Sequence, residues 1–379
     1  MLHGIASTYS SCVEQLVQQL FFALAARENY RVYGADAEDA YAHSPPPETP
    51  TFASIDDAYA DWYEHRFKKK LDRSLVLPVL HALQGHSESG KLWEKHITAI
   101  LRSPQFGFKS TTHDRSTYSA TFEGTRILLL RQVDDFAVAC PNEDIANHLY
   151  DQIGKALQLP SENTPPFKYL GLINDFNGLD IAQYSDAIKL SCEKYIDRVL
   201  TTHGWSKPSP PVPSKPSAPL PVDAVTSLYA HQGPPENTAE HAALVAKYGF
   251  AYRTLLGELL YAYVTCRPDI GYATIMLSKF STCPHDHHFA MLKKVAKYLR
   301  TTKDWGIIYR RSQPDTSLPP SNFICSATNA ELPEFATVNT QEPIAFLDAA
   351  HTNDLRNCRS TIGYDRYVFL PVSYTHLRA

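Results

Sequence analysis

Two adjacent aspartates, Asp134 and Asp135, stand inside a largely apolar run that spans residues 127–140. The β-forming residues on both sides of the pair favour two strands. The acidic pair falls where the chain reverses, so the sequence predicts a β-hairpin with both carboxylates at its tip. Neighbouring negative charges repel each other, which is costly without a counter-charge. Mg²⁺ supplies one, and a pair of such ions can hold the attacking and leaving oxygens of a phosphoryl transfer.

A third carboxylate is needed to bridge two metal ions, and Asp36 offers one. It ends a short β-like stretch, and small residues and Tyr41 follow it. We therefore expect Asp36 to join Asp134 and Asp135 in one acidic site, although the three residues are remote along the chain.

The order of these motifs resembles a known family. Residues 36–41 and Val133-Asp134-Asp135 look like the first and third palm motifs of a reverse transcriptase. The longer pattern is similar to that of copia-type LTR retrotransposon polyproteins. Further blocks of that family are matched, in the same order, by residues 82–93, 252–270 and 297–302. The resemblance covers about residues 10–364 and is specific because five blocks keep the family's order.

The resemblance implies a reverse transcriptase, that is, an RNA-directed DNA polymerase. Its partners would be an RNA template, a DNA primer and dNTPs, and the primer 3′-hydroxyl would attack the α-phosphorus of the dNTP. Its cofactor would be two Mg²⁺ ions. Asp36 and Asp134 would bridge these ions, and Asp135 would be a closer or outer ligand. Other polyprotein parts (integrase, protease and capsid) would be further partners.

The same resemblance implies a set of substrate-binding residues. The backbone of Ala37 and Glu38 would cradle triphosphate oxygens, and Tyr41 would block a ribose 2′-hydroxyl by its bulk. Gln84 and Gly85 would lie against the nucleotide and template. The chain departs from the family around Gln84, and also before Val-Asp-Asp, where Gln132 replaces an aromatic ring that helps to hold the primer end.

Strand and helix patterns alternate around the hairpin, which suits the α+β palm of polymerases, an antiparallel sheet with helices. A strand is predicted over residues 168–172. Helices are predicted over residues 13–24, 91–101, 143–157 and 194–203. The helix over 13–24 is expected to bury an apolar stripe that includes Leu16 and Leu20.

Four regions are expected along the chain. A palm and thumb-like region with most of the fingers missing spans residues 1–205, and a Pro-rich linker spans 206–240. A helical connection region spans 241–340, and the first piece of a ribonuclease H-like domain spans 341–379. Asp348, at the close of an apolar strand, resembles the first metal ligand of ribonuclease H, whose other acids would lie beyond residue 379. Residues 371–379 look like a non-native tail.

Composition and charge bear on the partners and the cellular location of the protein. The net charge of −4 is unexpected for a nucleic-acid enzyme but does not exclude local basic clusters. Two such clusters lie at residues 66–70 and 293–300, and each is either a phosphate contact or a solvated helix face. The seven cysteines form no Cys-x-x-Cys pair, which suits an intracellular protein. No signal peptide or membrane span is visible, and the family would place the protein in a cytoplasmic virus-like particle or in the nucleus.

Two alternatives stay open. The chain is either an active polymerase or a catalytically silent, nucleic-acid-binding remnant of the same element. Residues 283–288, which contain one cysteine and three histidines, are either a metal cluster or a helix N-terminus; their spacing fits no standard zinc pattern and favours the helix.

Overall fold

A computed structural model describes residues 10, 12–206, 218–221, 223–321, 343–354 and 359–368, the last two ranges by their backbone alone. The described residues form two compact units. The first takes the residues up to Phe21 and Tyr30–Ile173, and the second takes Phe22–Asn29 and the residues from Asn174 onward. The mixture of helices with antiparallel sheets is compatible with the predicted α+β class.

The first unit is built on a six-stranded antiparallel sheet. In spatial order its strands are β4 (Lys109–Ser110), β5 (Thr117–Phe122), β6 (Thr125–Gln132), β7 (Asp135–Cys140), β1 (Arg31–Ala37) and β8 (Phe167–Leu172). A separate two-stranded antiparallel sheet pairs β2 (Phe52–Ser54) with β3 (Val76–Pro78). Strand β1, next to the edge strand β8, is paired on both sides, so its position is fixed by β7 and β8 together.

Four helices accompany these strands: α1 (Gln15–Arg27), α2 (Asp57–Phe67), α3 (Ser89–Arg102) and α4 (Glu143–Leu157). The division between the units passes through α1. Helix α4 has the predicted bounds, because Asn142 caps it by accepting a hydrogen bond from the Ile145 amide (3.1 Å). The prediction for α1 is wrong in part, since Leu16 and Leu20 of the predicted stripe are 48% and 38% exposed, whereas Phe21 of the same stripe is buried, as is its neighbour Phe22.

One face of the sheet packs against α3 and α4. Alternate residues of the central strands, such as Tyr33, Ala35, Phe136 and Val138, join Trp93 of α3 in one buried cluster. Because side chains alternate between the two faces of a strand, Asp36 and Asp135 belong to the opposite face.

The second unit contains a four-stranded antiparallel sheet and a set of helices. The sheet is ordered β12 (Gly306–Arg310), β11 (Ala187–Ser191), β10 (Leu179–Gln183), β9 (Asp175–Phe176). The helices are α5 (Glu193–Thr202), α6 (Ala224–Tyr229), α7 (Ala239–Tyr248), α8 (Tyr252–Thr265), α9 (Gly271–Ser278) and α10 (Asp286–Thr301). Strands β13 (Pro343–Asp354) and β14 (Arg359–Val368) form a separate antiparallel pair.

The two compact units divide the chain at Asn174, inside the region expected as palm and thumb-like, and the domain bounds themselves stay a prediction. Residues 174–205 were expected to belong with the palm, but β11 pairs with β12, so this stretch joins the second unit. The linker expected over 206–240 is interrupted by α6, in a stretch without proline where Ala224 and Leu228 are buried. Residues 371–379 lie outside the described residues. Within the described part, no helix combines the length and apolar character needed to span a membrane.

Candidate active site

The acidic pair lies at a hairpin turn, as predicted. Strand β6 ends at Gln132 and β7 begins at Asp135, and these two residues are paired across the hairpin. The connecting residues are Val133 and Asp134. Val133 adopts a positive φ of 57°, whereas Asp134 does not. A β-branched residue in this conformation is strained by about 1–3 kcal/mol, and such strain is typical of functional sites.

Strand pairing brings the third aspartate to the same place. Asp36 of β1 is the direct antiparallel partner of Asp135 of β7. Directly paired residues point to the same face of a sheet, so the two carboxylates are neighbours on the face opposite α3 and α4. The amide of Ala37 donates a hydrogen bond to the carbonyl of Asp134 (2.9 Å), which ties the turn to the end of β1.

Electrostatics agree with this proximity. The pKa of Asp36 is raised, first by burial, then by the negative charges of Asp134 and Glu38. Lys168, the partner of Asp36 on β8, acts in the opposite direction. Asp134 and Asp135 are exposed, whereas Asp36 is half-buried. The site therefore places the partly desolvated carboxylate of Asp36 next to the exposed Asp134 and Asp135, and Lys168 lies beside Asp36 in strand register.

The donor set suits a hard divalent cation. Carboxylate oxygens are the ligands that Mg²⁺ prefers, and the repulsion that Asp36 experiences from Asp134 is the effect that a bound cation would relieve. Within the described ranges, however, no three His, Cys, Asp or Glu side chains are gathered closely enough to hold a metal ion. Asp36, Asp134 and Asp135 thus have the ligand type and the strand register that a metal site needs. To bind one ion together, their carboxylates would have to rotate toward a common point.

The predicted substrate contacts are placed less favourably. The Ala37 amide is engaged by Asp134, and the Glu38 amide donates to the carbonyl of Pro166 (3.0 Å). Both donors therefore hold β1 in place, so they would have to give up these bonds to reach a triphosphate. Tyr41 lies in a short 3-10 helix, Ala40–His43, and packs partly buried against the core cluster.

Gln84 and Gly85 form an exposed turn ahead of α3. Gly85 adopts a φ of 89°, and a Cβ added there would meet no atom within 4 Å. The glycine is thus required by backbone conformation, and its predicted role beside nucleotide and template stays a prediction.

Two predictions in the second unit have different outcomes. Asp348 lies within β13, opposite Gly363 of β14, and the strand continues to Asp354; the expectation that this acid closes its strand is wrong. The helix N-terminus at residues 283–288 is confirmed, because His285 caps α10 by accepting a hydrogen bond from the His287 amide (3.2 Å). No metal cluster is found among these side chains or elsewhere in the described residues.

The two basic clusters also differ. On α10, the apolar stripe is buried as predicted, but Lys293 stacks over the Trp205 ring (5.1 Å) and Arg300 donates to the Trp205 carbonyl (3.3 Å). These two cations therefore already contact Trp205 and are less available to bind phosphate. The cluster at residues 66–70 is exposed throughout.

Several residues around the turn were missed by sequence reasoning. Lys168 was assigned only to a strand, and nothing in the sequence indicates that it lies opposite Asp36. Trp93 and Arg131 both contact the carbonyl of Val133. An arginine inside an apolar strand was a signal, since such a charge needs a buried partner. Gln132 accepts a hydrogen bond from the Val13 amide (2.9 Å).

Sequence comparisons identify the family of the chain. Residues 4–210, more than half of the chain, match the family described as "Reverse transcriptase (RNA-dependent DNA polymerase)". The chain therefore belongs to this reverse transcriptase family.

Relatives extend the match beyond that region. The chain is 27% identical over 250 residues to a putative transposon Ty5-1 protein of Saccharomyces cerevisiae, covering 64% of this chain and 71% of the relative. It is 25% identical over 309 residues to the retrovirus-related Pol polyprotein from transposon TNT 1-94 of Nicotiana tabacum, and 22% identical over 306 residues to that from transposon RE1 of Arabidopsis thaliana. These matches cover 81% of this chain but only 21% and 18% of the two polyproteins. The predicted resemblance to copia-type retrotransposon polyproteins is confirmed. No solved structure matches the chain.

Proposed function

We propose that this chain extends a DNA primer on an RNA template as the polymerase part of a retrotransposon polyprotein. The observation that carries the proposal is the register that pairs Asp36 with Asp135 next to the turn that holds Asp134. Family membership supports the same activity. Its partners would be template, primer, dNTPs and the remaining parts of the polyprotein.

Three carboxylates would carry the chemistry. Asp36 and Asp134 would hold two Mg²⁺ ions, with Asp135 as a closer or outer ligand. Such ions, when bound, promote loss of the primer 3′-hydroxyl proton and neutralise charge on the leaving pyrophosphate. Asp36 lies on β1, which is paired with a strand on each side, so its backbone position in the site is fixed. Lys168 tempers the repulsion at Asp36.

Tyr41 would select deoxynucleotides. Its ring packs partly against the core cluster, so it has little freedom to move aside. A ring held in this way rejects a ribose 2′-hydroxyl by steric exclusion rather than by hydrogen bonding. Gln84 and Gly85 would contact the nucleotide and template from their exposed turn.

Helix α2 offers a surface for nucleic acid. Four aromatic side chains form a row on it, with Tyr59 and Trp62 rings 5.6 Å apart and Tyr63 and Phe67 rings 4.7 Å apart. Trp62 and Phe67 are 54% and 50% exposed. Exposed aromatic rings beside cations are typical of surfaces that bind single strands by stacking and charge.

The charges near α2 favour a polyanion. The acids of its first half, Asp57 and Asp61, are paired with Arg73. The cations that follow, Arg66 and Lys68, Lys69 and Lys70, are exposed and are here called the basic run. Asp57 and Asp61 are thus paired with Arg73 and not with the basic run.

The remaining architecture is proposed by resemblance. The first unit would be the palm, and the helices of the second unit would form the connection region. The β13–β14 pair, which contains Asp348, would begin a ribonuclease H-like domain.

Primer extension with purified protein tests the proposal. We expect Mg²⁺-dependent extension by the unaltered chain and loss of extension in Asp134→Asn. Asp56→Asn is the matched control, since Asp56 caps α2 by accepting a hydrogen bond from the Tyr59 amide (2.7 Å) and asparagine caps equally well. Oligonucleotide binding without extension by the unaltered chain would contradict polymerase activity and favour the silent remnant.

A further inference from the structure

The turn that carries Asp134 depends on a backbone conformation that Val133 does not favour. With a φ of 57°, Val133 lies in the left-handed region, where glycine or asparagine is usual. Such a conformation persists only when surrounding contacts hold it. Since the Val133–Asp134 peptide sets the direction of the Asp134 backbone, those contacts also determine where this carboxylate points.

Two buried donors meet at the carbonyl of Val133. The indole nitrogen of Trp93 donates to it at 2.7 Å, and Nη1 of Arg131 donates to it at 3.0 Å. Both side chains are fully buried, at 0% exposure. Donors on a helix and on a strand thus fix the orientation of one peptide group.

Arg131 is itself held by a carboxylate. Its Nη2 forms a short charged hydrogen bond with Oε2 of Glu94, which neighbours Trp93 on α3. Glu94 also accepts hydrogen bonds from Ser10 (3.1 Å) and Thr98 (3.4 Å). Helix α3 therefore supplies both the indole and the counter-charge of the guanidinium.

A buried ion pair is weak evidence for a stabilising role, because hydrophobic residues of the same volume often stabilise a core equally well. What an apolar replacement would not supply is a directed donor to the carbonyl of a strained turn. The position of the pair is therefore better explained by the geometry of the turn than by core stability.

We propose that Arg131 and Glu94, together with Trp93, are positioning residues that hold Val133 in its left-handed conformation and so keep Asp134 beside Asp36. This rests on the proposed function for its catalytic consequence, but the conformational part does not. None of these residues touches the substrate in this scheme; they act through the Val133 carbonyl.

Hydrogen exchange of the metal-free protein tests the conformational part. In Glu94→Gln, the amides of the turn should exchange about tenfold faster, the factor expected for the loss of one charged hydrogen bond. Asp269→Asn is the matched control, since Asp269 holds the buried Arg267 of the second unit through bonds of 2.9 and 2.7 Å. It should leave the turn unchanged. Equal exchange in Glu94→Gln and the unaltered protein would overturn the proposal.

A second variant keeps the test independent of the ion pair. Trp93→Phe removes the indole donor and should speed turn exchange as well, whereas Trp305→Phe should not. Adding Val133→Gly should reduce the effect of Trp93→Phe, because glycine adopts a positive φ without strain. An undiminished effect in the glycine background would show that Trp93 merely fills the core and would overturn its part of the proposal.

Kinetics then separate positioning from the proposed function. In Glu94→Gln we expect kcat for nucleotide addition to fall about tenfold with little change in KM for dNTP. If the unaltered chain shows no extension while turn exchange responds as expected, the proposed function fails and the conformational role stands. If the unaltered chain extends primers and Glu94→Gln matches it in kcat and exchange, the positioning role is wrong.

Discussion

Tyr150→Phe removes a buried hydrogen bond that anchors α4 to the strand carrying Asp36. The Tyr150 hydroxyl donates to the carbonyl of Tyr33 on β1 at 2.9 Å, and both residues are buried, at 2% and 1% exposure. Burial raises the pKa of Tyr150 well above its usual range, so this donor keeps its proton. The substitution leaves the ring in place and takes away only the oxygen.

The expected cost follows from that geometry. A neutral hydrogen bond contributes about 1 kcal/mol net to folding, and no water replaces it in a closed core. For a folded unit of about 150–250 residues, about 1 kcal/mol lowers Tm by about 2–4 °C. We therefore expect Tyr150→Phe to lower the free energy of unfolding by about 1 kcal/mol. The amides of β1 should also exchange faster with solvent.

Tyr169→Phe is the matched control on the neighbouring strand β8. Its hydroxyl donates to Glu143 at 3.2 Å in an exposed position, so water can replace the lost bond. We expect a change within about 0.5 kcal/mol. Urea unfolding followed by circular dichroism, with hydrogen exchange at β1 as the local probe, measures both variants. An equal decrease in the free energy of unfolding in the two variants would refute the argument that the Tyr150 bond stabilises the fold more because it is buried.

Further predictions concern charge. Asp134→Asn should lower the pKa of Asp36 toward its ordinary value, because one of the charges that raises it is removed; a carbon-13 titration of Asp36 checks this, and an unchanged pKa would mean that the carboxylates do not interact. Since the folded pKa of Asp36 is raised, the folded state binds more protons than the unfolded state between the ordinary and the raised pKa, so stability should fall as pH rises through that interval. Asp36→Asn should lack this part of the pH dependence in urea unfolding. Replacing the four cations of the basic run by glutamine should weaken the salt dependence of oligonucleotide binding. Each cation contributes about 0.7 to the slope of log K against log salt for a single strand, so the slope should become shallower by about 3. Replacing four exposed cations elsewhere in the chain should change the slope less, and equal changes would argue against this surface.

The parts of the fold that could be predicted depend on local pattern. The hairpin follows from apolar runs on both sides of two acids, and α4 from helical spacing that starts after a capping asparagine. The buried stripe of α10 follows from the same periodicity. These elements are determined by residues that are close in sequence, so they can be predicted from a single sequence.

The missing parts depend on pairing between distant segments. The sequence predicts that Asp36 joins the acidic pair, but nothing local indicates its register with Asp135 on one side and Lys168 on the other, because strand register is set by the assembled sheet. For the same reason, the joining of β11 to β12, which moves the boundary between the units, was not foreseen.

Exposure was also hard to predict. The stripe on α1 predicts burial of Leu16 and Leu20, but a periodic pattern does not say which face meets the core. Conversely, Arg131 looks in the sequence like a charged interruption of an apolar strand. Its hydrogen bonds to the Val133 carbonyl and to Glu94 explain why it can be buried there.

Anomalous diffraction from crystals grown with Mn²⁺, primer–template and a non-reactive dNTP analogue tests the central claim most directly. We expect two ion peaks about 2 Å from the carboxylate oxygens of Asp36 and Asp134, with Asp135 close by. Peaks bound elsewhere, or an ordered ternary complex in which these carboxylates hold no ion, would contradict the account.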